Sequence, residues 1–249
     1  MQSAPMPKVG VLLITTSRFH DLGQHTERGA FYTRKDQEAS DIISQISTFS
    51  MPVFDKVVYT RNNIIESMHR FEAESVDMVL VMFLSWSDDF AWIRFLRDMK
   101  PIPILFASLV RQNLGFQDSL NDDRFVEFLS AGSLVGSLEA SGSAGRFDRP
   151  MMKRMIGTLS QIMHECRLFA QASALRTRLK HVNFGLLPSL NEVMWSTYVD
   201  PFDFFMLVGP EIRFLSVVDL AREIQTIEKE KILCIKKNLM QRGNFKIPI

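Results

Sequence analysis

The stretch Met78-Val-Leu-Val-Met-Phe-Leu84 decides the class of fold, because it is the longest run of purely apolar residues in the chain. Such a run without a polar interruption is typical of a strand buried on both faces, as in a parallel sheet covered by helices. It is also far shorter than the roughly 20 residues that a membrane-spanning helix requires. It therefore predicts a central strand of a soluble α/β fold.

The segments on either side of this strand repeat a rhythm of short aliphatic runs and helical patterns. Val9–Ile14 is a second buried-strand pattern, and Asp41–Phe49 has apolar residues at the three- and four-residue spacing of a helix face. Such alternation is typical of βαβ units. We predict strands over residues 9–14, 56–59, 78–84 and 104–107, helices over 41–49, 64–71 and 90–99 with Asn62 or Asn63 and Ser87 as caps, and a strand with a tight turn over the glycine-rich residues 132–145.

The remainder of the chain predicts a second, smaller domain. Pro150 opens a pattern with helical spacing that continues to Leu179, and we interpret it as one long helix. The domain boundary is placed at Pro150, which divides the chain into residues 1–149 and 150–249. Strands are predicted over 182–187, 204–208 and 212–218, followed by a helix capped by Asp219. The predicted class is α/β, with two Rossmann/flavodoxin-like parallel-sheet domains.

Composition excludes several classes of partner. The 249 residues are 46% hydrophobic and carry a formal net charge of +1, from 29 basic and 28 acidic side chains. This balance creates no field for nucleic acid or anionic lipid. Cys166 and Cys234 both lie in helical patterns and cannot form a disulfide framework or a zinc site. We therefore expect a cytoplasmic protein that binds neither nucleic acid nor a membrane.

Chemistry is expected where the parallel strands end, because ligands of open α/β sheets bind outside the carboxyl ends of the strands. Polar loops follow the first, third and fourth strands, and their hydroxyl, amide and charged groups suit a polyol. Each loop is equally well explained as solvated surface. The substrate-binding candidates are Arg18, His20, Trp86, Arg111, Gln112 and Glu139.

Glu139 has two alternative interpretations. It follows an apolar run and precedes small residues, so its carboxylate would stand at the mouth of a strand with room for a ligand; alternatively it caps a following helix or pairs with Arg146. Asp200, Asp203 and Glu211 surround an aromatic cluster that either stacks on a sugar or belongs to the core.

Several catalytic motifs are missing from the chain. No G-x-G-x-x-G follows the first strand, and there is no Walker lysine motif. His164-Glu165 begins like a zinc-protease helix, but Leu168 stands where the second histidine is needed. Ser137 and Ser141 lack the G-x-S-x-G frame of a serine hydrolase. These patterns give no support to a dinucleotide enzyme, a zinc protease or a serine hydrolase.

Short motifs along the chain resemble the L-fucose/L-arabinose isomerase superfamily. Those of the family's N-terminal domain are Lys8-Val-Gly-Val-Leu-Leu-Ile14 with Thr15-Thr-Ser-Arg18, Leu84-Ser-Trp-Ser87 with Trp92-Ile93, Pro103-Ile-Leu-Phe-Ala-Ser108 and Leu134-Val-Gly-Ser-Leu-Glu-Ala-Ser-Gly142. Those of the second domain, in its isomerase-like branch, are Glu192-Val-Met-Trp-Ser-Thr197, Val199-Asp-Pro201 and Val208-Gly-Pro-Glu211 with Leu215-Ser216 and Asp219-Leu220.

The resemblance implies an aldose–ketose isomerase that holds a divalent metal, usually Mn²⁺, and moves a proton through an ene-diol. In that family the metal ligands lie beyond the second domain, so we expect no metal ligand among residues 1–249 and no activity from this chain alone. The loops over residues 16–20 and 108–113 would face substrate in a homo-oligomer, with Arg18 and Phe19 where the L-arabinose enzymes carry a Gln-containing loop. The alternative is a non-catalytic sugar-binding or oligomerisation module.

Overall fold

A computed structural model of the chain describes residues 5–111, 122–187 and 199–242. Its main feature is a sheet of five parallel strands, β1 (Lys8–Ile14), β2 (Met51–Val53), β3 (Met78–Phe83), β4 (Ile104–Leu109) and β5 (Met152–Gly157). They lie in the order β2-β1-β3-β4-β5. This confirms the predicted α/β class with a Rossmann/flavodoxin-like sheet.

Helices cover both faces of this sheet, which explains the uninterrupted apolar strands. Successive residues of a strand point to opposite faces, so Val79 and Val81 of β3 join one hydrophobic core while Leu80 and Met82 join the other. The helices of this part of the chain are α1 (Phe31–Ser47), α2 (Asn63–Ala73), α3 (Phe90–Asp98), α4 (Asp122–Ala131), α5 (Ser133–Ala144) and α6 (Leu159–Leu179). The first core also contains residues of α2, α3 and α5, and the second contains residues of α1 and α6.

The chain divides into two compact units, residues 1–177 and 178–249. The predicted boundary at residue 150 falls inside the first unit, between α5 and β5. In the described part of the second unit, β6 (Asn183–Leu186) pairs in parallel with β7 (Glu211–Phe214). The helices of this unit are α7 (Pro201–Leu207), α8 (Val217–Thr226) and α9 (Lys229–Arg242).

The prediction of a strand over residues 132–145 is wrong, because this segment forms helix α5. The buried side of the helix consists of small residues at helical spacing, including Gly136, Ala140 and Ala144. Small side chains let a helix approach its neighbours closely, and the indole of Trp92 donates a hydrogen bond to the carbonyl of Ala140 at 2.9 Å. The glycines therefore mark close packing and not a turn.

The prediction of one long helix from Pro150 to Leu179 is wrong in its first part. Met152–Gly157 is the edge strand β5, which pairs with β4, and the helix begins at Leu159. Short apolar patterns with polar neighbours fit a strand or a helix equally well. Here the segment forms a strand, because the backbone of β4 has an unpaired edge with which it can form hydrogen bonds.

Smaller differences occur in three other places. The second strand is Met51–Val53, and within the predicted residues 56–59 Val58 forms an isolated bridge with Ile14. Residues 204–208, predicted as a strand, belong mainly to α7. Ser87 does not cap α3; the helix is preceded by Asp89, and the Ser87 hydroxyl donates to the carbonyl of Thr15 at 2.8 Å.

Two further findings concern the cap of α8 and the apolar character of the helices. Asp219 lies at the third position of α8, where it completes a capping box with Ser216. Among the helices of the described ranges, none combines the length and apolar character needed to cross a membrane.

Candidate functional site

The loops after β1 and β3 meet at the place where this fold class binds ligands. In a sheet of order 2-1-3-4-5 the direction of chain connection reverses between β1 and β3, which opens a crevice at their carboxyl ends. The hydroxyl oxygens of Thr15 and Ser85 lie 2.6 Å apart across this junction. The Ser87 hydroxyl also bonds the backbone of the β1 loop.

These hydroxyl groups hold the two loops together and do not face a ligand. Thr15, Ser85 and Ser87 are all buried, and their hydroxyls bond one another or backbone carbonyls. Buried polar groups that are satisfied internally stabilise a loop in one conformation. These residues belong to the polar surface that was predicted to hold a polyol. Their hydrogen bonds instead support the loop that carries Trp86, which lies between Ser85 and Ser87 in the chain.

Trp86 is half-buried and meets two exposed residues that were also predicted as site residues; we name this group the Trp86 edge (Arg18, Trp86 and Glu139). The indole Nε1 of Trp86 donates a hydrogen bond to Glu139 Oε2 at 3.2 Å. The guanidinium carbon of Arg18 lies 5.6 Å from the centre of the indole ring, within the range of a cation–π contact. The sequence named these residues separately, and the structure brings them together.

Helix α5 places Glu139 beside Trp86. A Cβ added at Gly132 would lie 3.2 Å from the Cβ of Trp86, and one added at Gly136 would lie 3.4 Å from its Cα. The two glycines therefore allow the start of α5 to pack directly on the loop after β3. Glu139 follows Gly136 by three residues and so lies on the same side of the helix. The carboxylate is thus presented by a helix and not by the mouth of a strand.

His20 belongs to a different group of side chains. Its ring stacks on Tyr32 with centroids 4.5 Å apart, and its Nδ1 lies 2.8 Å from the Asp21 carboxylate. Tyr59 meets the same imidazole edge-on, and burial raises the pKa of the Tyr59 hydroxyl. The neighbour of Tyr59, Val58, bridges β1. These contacts make His20 part of an aromatic cluster separate from the contacts that define the Trp86 edge.

Arg111 lies in a cleft that sequence analysis did not anticipate. Its Nη2 donates to Glu38 Oε1 at 2.5 Å and to the carbonyl of Leu84 at 3.1 Å, while its Nε donates to the carbonyl of Ser130. The second oxygen of Glu38 accepts from Lys35 Nζ at 2.8 Å. We name the surrounding cavity, of about 610 Å³, the Lys35 cleft.

Lys35 is 2% exposed, and burial lowers the pKa of its ammonium group to about 8, with Arg111 acting in the same direction and Glu38 opposing. The sequence contains a pattern from which the burial of Lys35 could have been predicted. Phe31, Lys35, Ala39 and Ile42 occupy the i, i+4, i+8 and i+11 positions of the buried stripe of α1. A lysine in the middle of such a stripe indicates a buried charge.

The remaining candidates do not form a metal centre. Asp200 caps α7 by accepting hydrogen bonds from the N–H groups of Phe202 and Asp203, which gives it a structural role. Across residues 5–111, 122–187 and 199–242, no three His, Cys, Asp or Glu side chains are grouped to hold a metal ion. The Mn²⁺ implied by the family resemblance stays a prediction. Gln112 lies outside the described residues.

Comparison with known proteins leaves the family open. No protein-family model matches the chain, and no curated protein matches its sequence. The fold therefore defines a class, an α/β protein with a Rossmann/flavodoxin-like parallel sheet, and the resemblance to sugar isomerases stays a prediction.

Proposed function

We propose that this chain supplies the sugar-contacting N-terminal part of a metal-dependent aldose–ketose isomerase, in the cytoplasm and as a homo-oligomer. The observation that carries the proposal is the Trp86 edge, in which an indole, a carboxylate and a guanidinium group meet at the carboxyl end of the parallel sheet. The sequence motifs that resemble the isomerase family include Arg18, Trp86 and Glu139. The free thiols of Cys166 and Cys234 agree with a reducing compartment.

The three side chains provide complementary contacts for a polyol. An indole presents an apolar surface to the C–H groups of a sugar and retains a polar N–H. The Glu139 carboxylate accepts hydrogen bonds from sugar hydroxyls, and the Arg18 guanidinium donates them. The Thr15–Ser85 contact joins the loop before Trp86 to the end of β1, and the hydrogen bond to Glu139 orients the indole, so the Trp86 side chain is positioned before a sugar binds.

Mn²⁺ supplies a Lewis acid in the family that the sequence resembles. We assign neither metal ligation nor proton transfer to any of the described residues. The isolated chain is therefore expected to bind a sugar without converting it. Aldose–ketose turnover with added Mn²⁺ that disappears in Glu139→Gln would contradict this assignment.

A calorimetric titration of pentoses and 6-deoxyhexoses, with and without Mn²⁺, tests the binding part of the proposal. We expect at least one sugar of these classes to bind, and Glu139→Gln or Trp86→Phe to weaken it about tenfold, equivalent to about 1.4 kcal/mol. Glu66→Gln is the matched control, because Glu66 is an exposed carboxylate on α2 that pairs with Lys56. Failure of every sugar to bind, or equal binding by Glu139→Gln and the wild type, would refute the proposal.

The proposed homo-oligomer is tested separately by light scattering over a range of protein concentrations. A species larger than one chain is expected. A monomer at every concentration would contradict the oligomeric part of the proposal while leaving the sugar site open to the titration above.

A further inference from the structure

The Lys35 cleft has the dimensions and position of a second ligand site. It lies between α1, α4 and the end of β4, and its volume of about 610 Å³ is within the range of about 300–1,000 Å³ typical of small-molecule sites. Its lining includes Arg28, Arg34, Lys35, Glu38, Arg111 and Glu127. None of these residues belongs to the Trp86 edge.

Charge is unevenly balanced at the centre of the cleft. Lys35 and Arg111 bind the two oxygens of one carboxylate, that of Glu38. The side chains of Lys35, Arg111 and Glu38 are 3%, 19% and 20% exposed, so this group of two cations and one anion carries an excess positive charge largely away from water. The two cations share this one carboxylate, and Glu127 acts on Lys35 only from a greater distance, so a second anion would compensate the remaining positive charge.

Arg34 has unused donor capacity in the same cleft. Its side chain is 8% exposed; its Nε donates to the carbonyl of Gly29 and its Nη2 to Thr26 and Asp123. Its Nη1 is buried and has no hydrogen-bond partner in the described ranges, with the Glu127 carboxylate at 3.9 Å. Buried guanidinium nitrogens are normally paired.

The other acidic groups of the cleft already have partners. Glu127 lies 2.8 Å from Arg28, which makes it the shared partner of two arginines. Asp41 is exposed and accepts a hydrogen bond from Gln37 at 3.0 Å. The carboxylates therefore leave Lys35, Arg111 and Nη1 of Arg34 with capacity for one more acceptor.

We propose that the Lys35 cleft binds the oxyanion group, carboxylate or phosphate, of a small molecule through Lys35, Arg34 and Arg111. Lysine and arginine side chains are donors without acceptor capacity, which matches them to an oxyanion. A neutral polyol would not offset the excess charge. The inference does not depend on the proposed sugar site.

Calorimetry at low ionic strength tests this site with inorganic phosphate and with gluconate as probes, and D-glucitol serves as the uncharged counterpart of gluconate. We expect one equivalent of phosphate or gluconate to bind with a dissociation constant of about 1 mM or tighter and D-glucitol not to compete with it. Binding of phosphate alone indicates a phosphoryl ligand, and binding of gluconate alone a carboxylate. No saturable binding of either probe would overturn the proposal.

Lys35→Met removes the central cation while conserving the length of the side chain. It is expected to weaken anion binding at least about tenfold. Lys100→Met is the matched control, because Lys100 is exposed and pairs with Glu72, so its loss removes the same charge elsewhere. Anion binding that Lys35→Met leaves unchanged, or that Lys100→Met weakens equally, would refute the assignment.

A measurement on the wild-type protein supports the test should Lys35→Met fail to fold. Burial and Arg111 lower the pKa of Lys35 to about 8, while Glu38 and Glu127 act to raise it. A bound anion beside Lys35 would raise this pKa further, because it favours the charged form of the lysine. Binding of gluconate at pH 8 should therefore take up as much as about half a proton, because half of the Lys35 side chains are already protonated at that pH. The uptake is seen as a dependence of the calorimetric heat on the ionisation enthalpy of the buffer. Binding without proton uptake would place the anion away from Lys35.

Loss of gluconate binding in Glu139→Gln but not in Lys35→Met would assign that ligand to the Trp86 edge.

Discussion

The two units of the chain differ in how far they bury their apolar side chains. All six residues of β3 in the five-stranded unit are buried, whereas all four residues of β6 in the two-stranded unit are exposed. In the described part of the second unit, Pro210 is the only buried residue. Apolar side chains there remain at the surface, as shown by Phe202 at 71% and Leu207 at 81% exposure.

The difference shows that apolar composition alone does not produce a core. The five-stranded sheet has helices on both faces, so each strand residue meets side chains from above or below. The two strands and three helices described within residues 178–242 offer too little opposing surface for the same result. Stability and chemical protection should therefore be concentrated in the first unit.

The largest expected contrast is in thiol reactivity. Burial raises the pKa of the Cys166 thiol in α6 to about 12, while Cys234 in α9 is exposed. Since the thiolate is the reactive form, we expect Cys166 to react with a disulfide reagent at pH 8 roughly a thousandfold or more slowly than Cys234. Stopped-flow absorbance on native protein measures both rates. Cys234→Ser should remove the fast phase, and two equal rates in native protein would contradict the contrast.

The next contrast concerns the free energy of unfolding. Phe71 is fully buried, with its ring against Gly10, where an added Cβ would lie 3.1 Å from the ring. We expect Phe71→Ala to lower the unfolding free energy by about 3–5 kcal/mol. Phe184 is 46% exposed, so Phe184→Ala should lower it by less than about 1 kcal/mol. Urea denaturation followed by circular dichroism compares them, and similar losses would break the distinction between the units.

The smallest effect tests the buried charge in the first unit. The Lys35 pKa falls from 10.5 to about 8 on folding, so the folded state is disfavoured below pH 8 by about 3 kcal/mol, and this penalty is relieved as the pH rises from 8 towards 10.5. Lys35→Met should therefore unfold at higher denaturant concentration near pH 7, with Glu38 still paired to Arg111. The gain should shrink as the pH rises through this range. A less stable variant at pH 7 would show that Glu38 requires both cations.

The sheet was largely predictable, because strands that are covered on both faces must be apolar at every position. Residues 78–84 and 104–107 correspond to β3 and β4 for this reason. The segments over residues 132–145 and 152–157 were not predictable, since their patterns fit either a helix or a strand. Contact of α5 with the Trp86 loop and pairing of β5 with β4 decided them.

The candidate site, like the fold, was predictable from the sequence only in part. The sequence predicts Arg18, Trp86 and Glu139 separately, from two loops and from the end of an apolar run. Their grouping depends on the packing of α5 on the loop after β3. His20 and Arg111 entered other groups of side chains. Lys35 is not among the predicted site residues because the predicted helix begins at Asp41, whereas α1 begins at Phe31.

What the sequence by itself determined is the α/β class and the positions of the buried strands β1, β3 and β4 along the chain, since the burial of a strand and the periodicity of a helix are local properties of side-chain type. Only the tertiary structure decided which side chains become neighbours. Trp86 and Glu139, like Lys35 and Arg111, are far apart in the chain, and no local pattern encodes a contact that depends on how helices pack across a sheet.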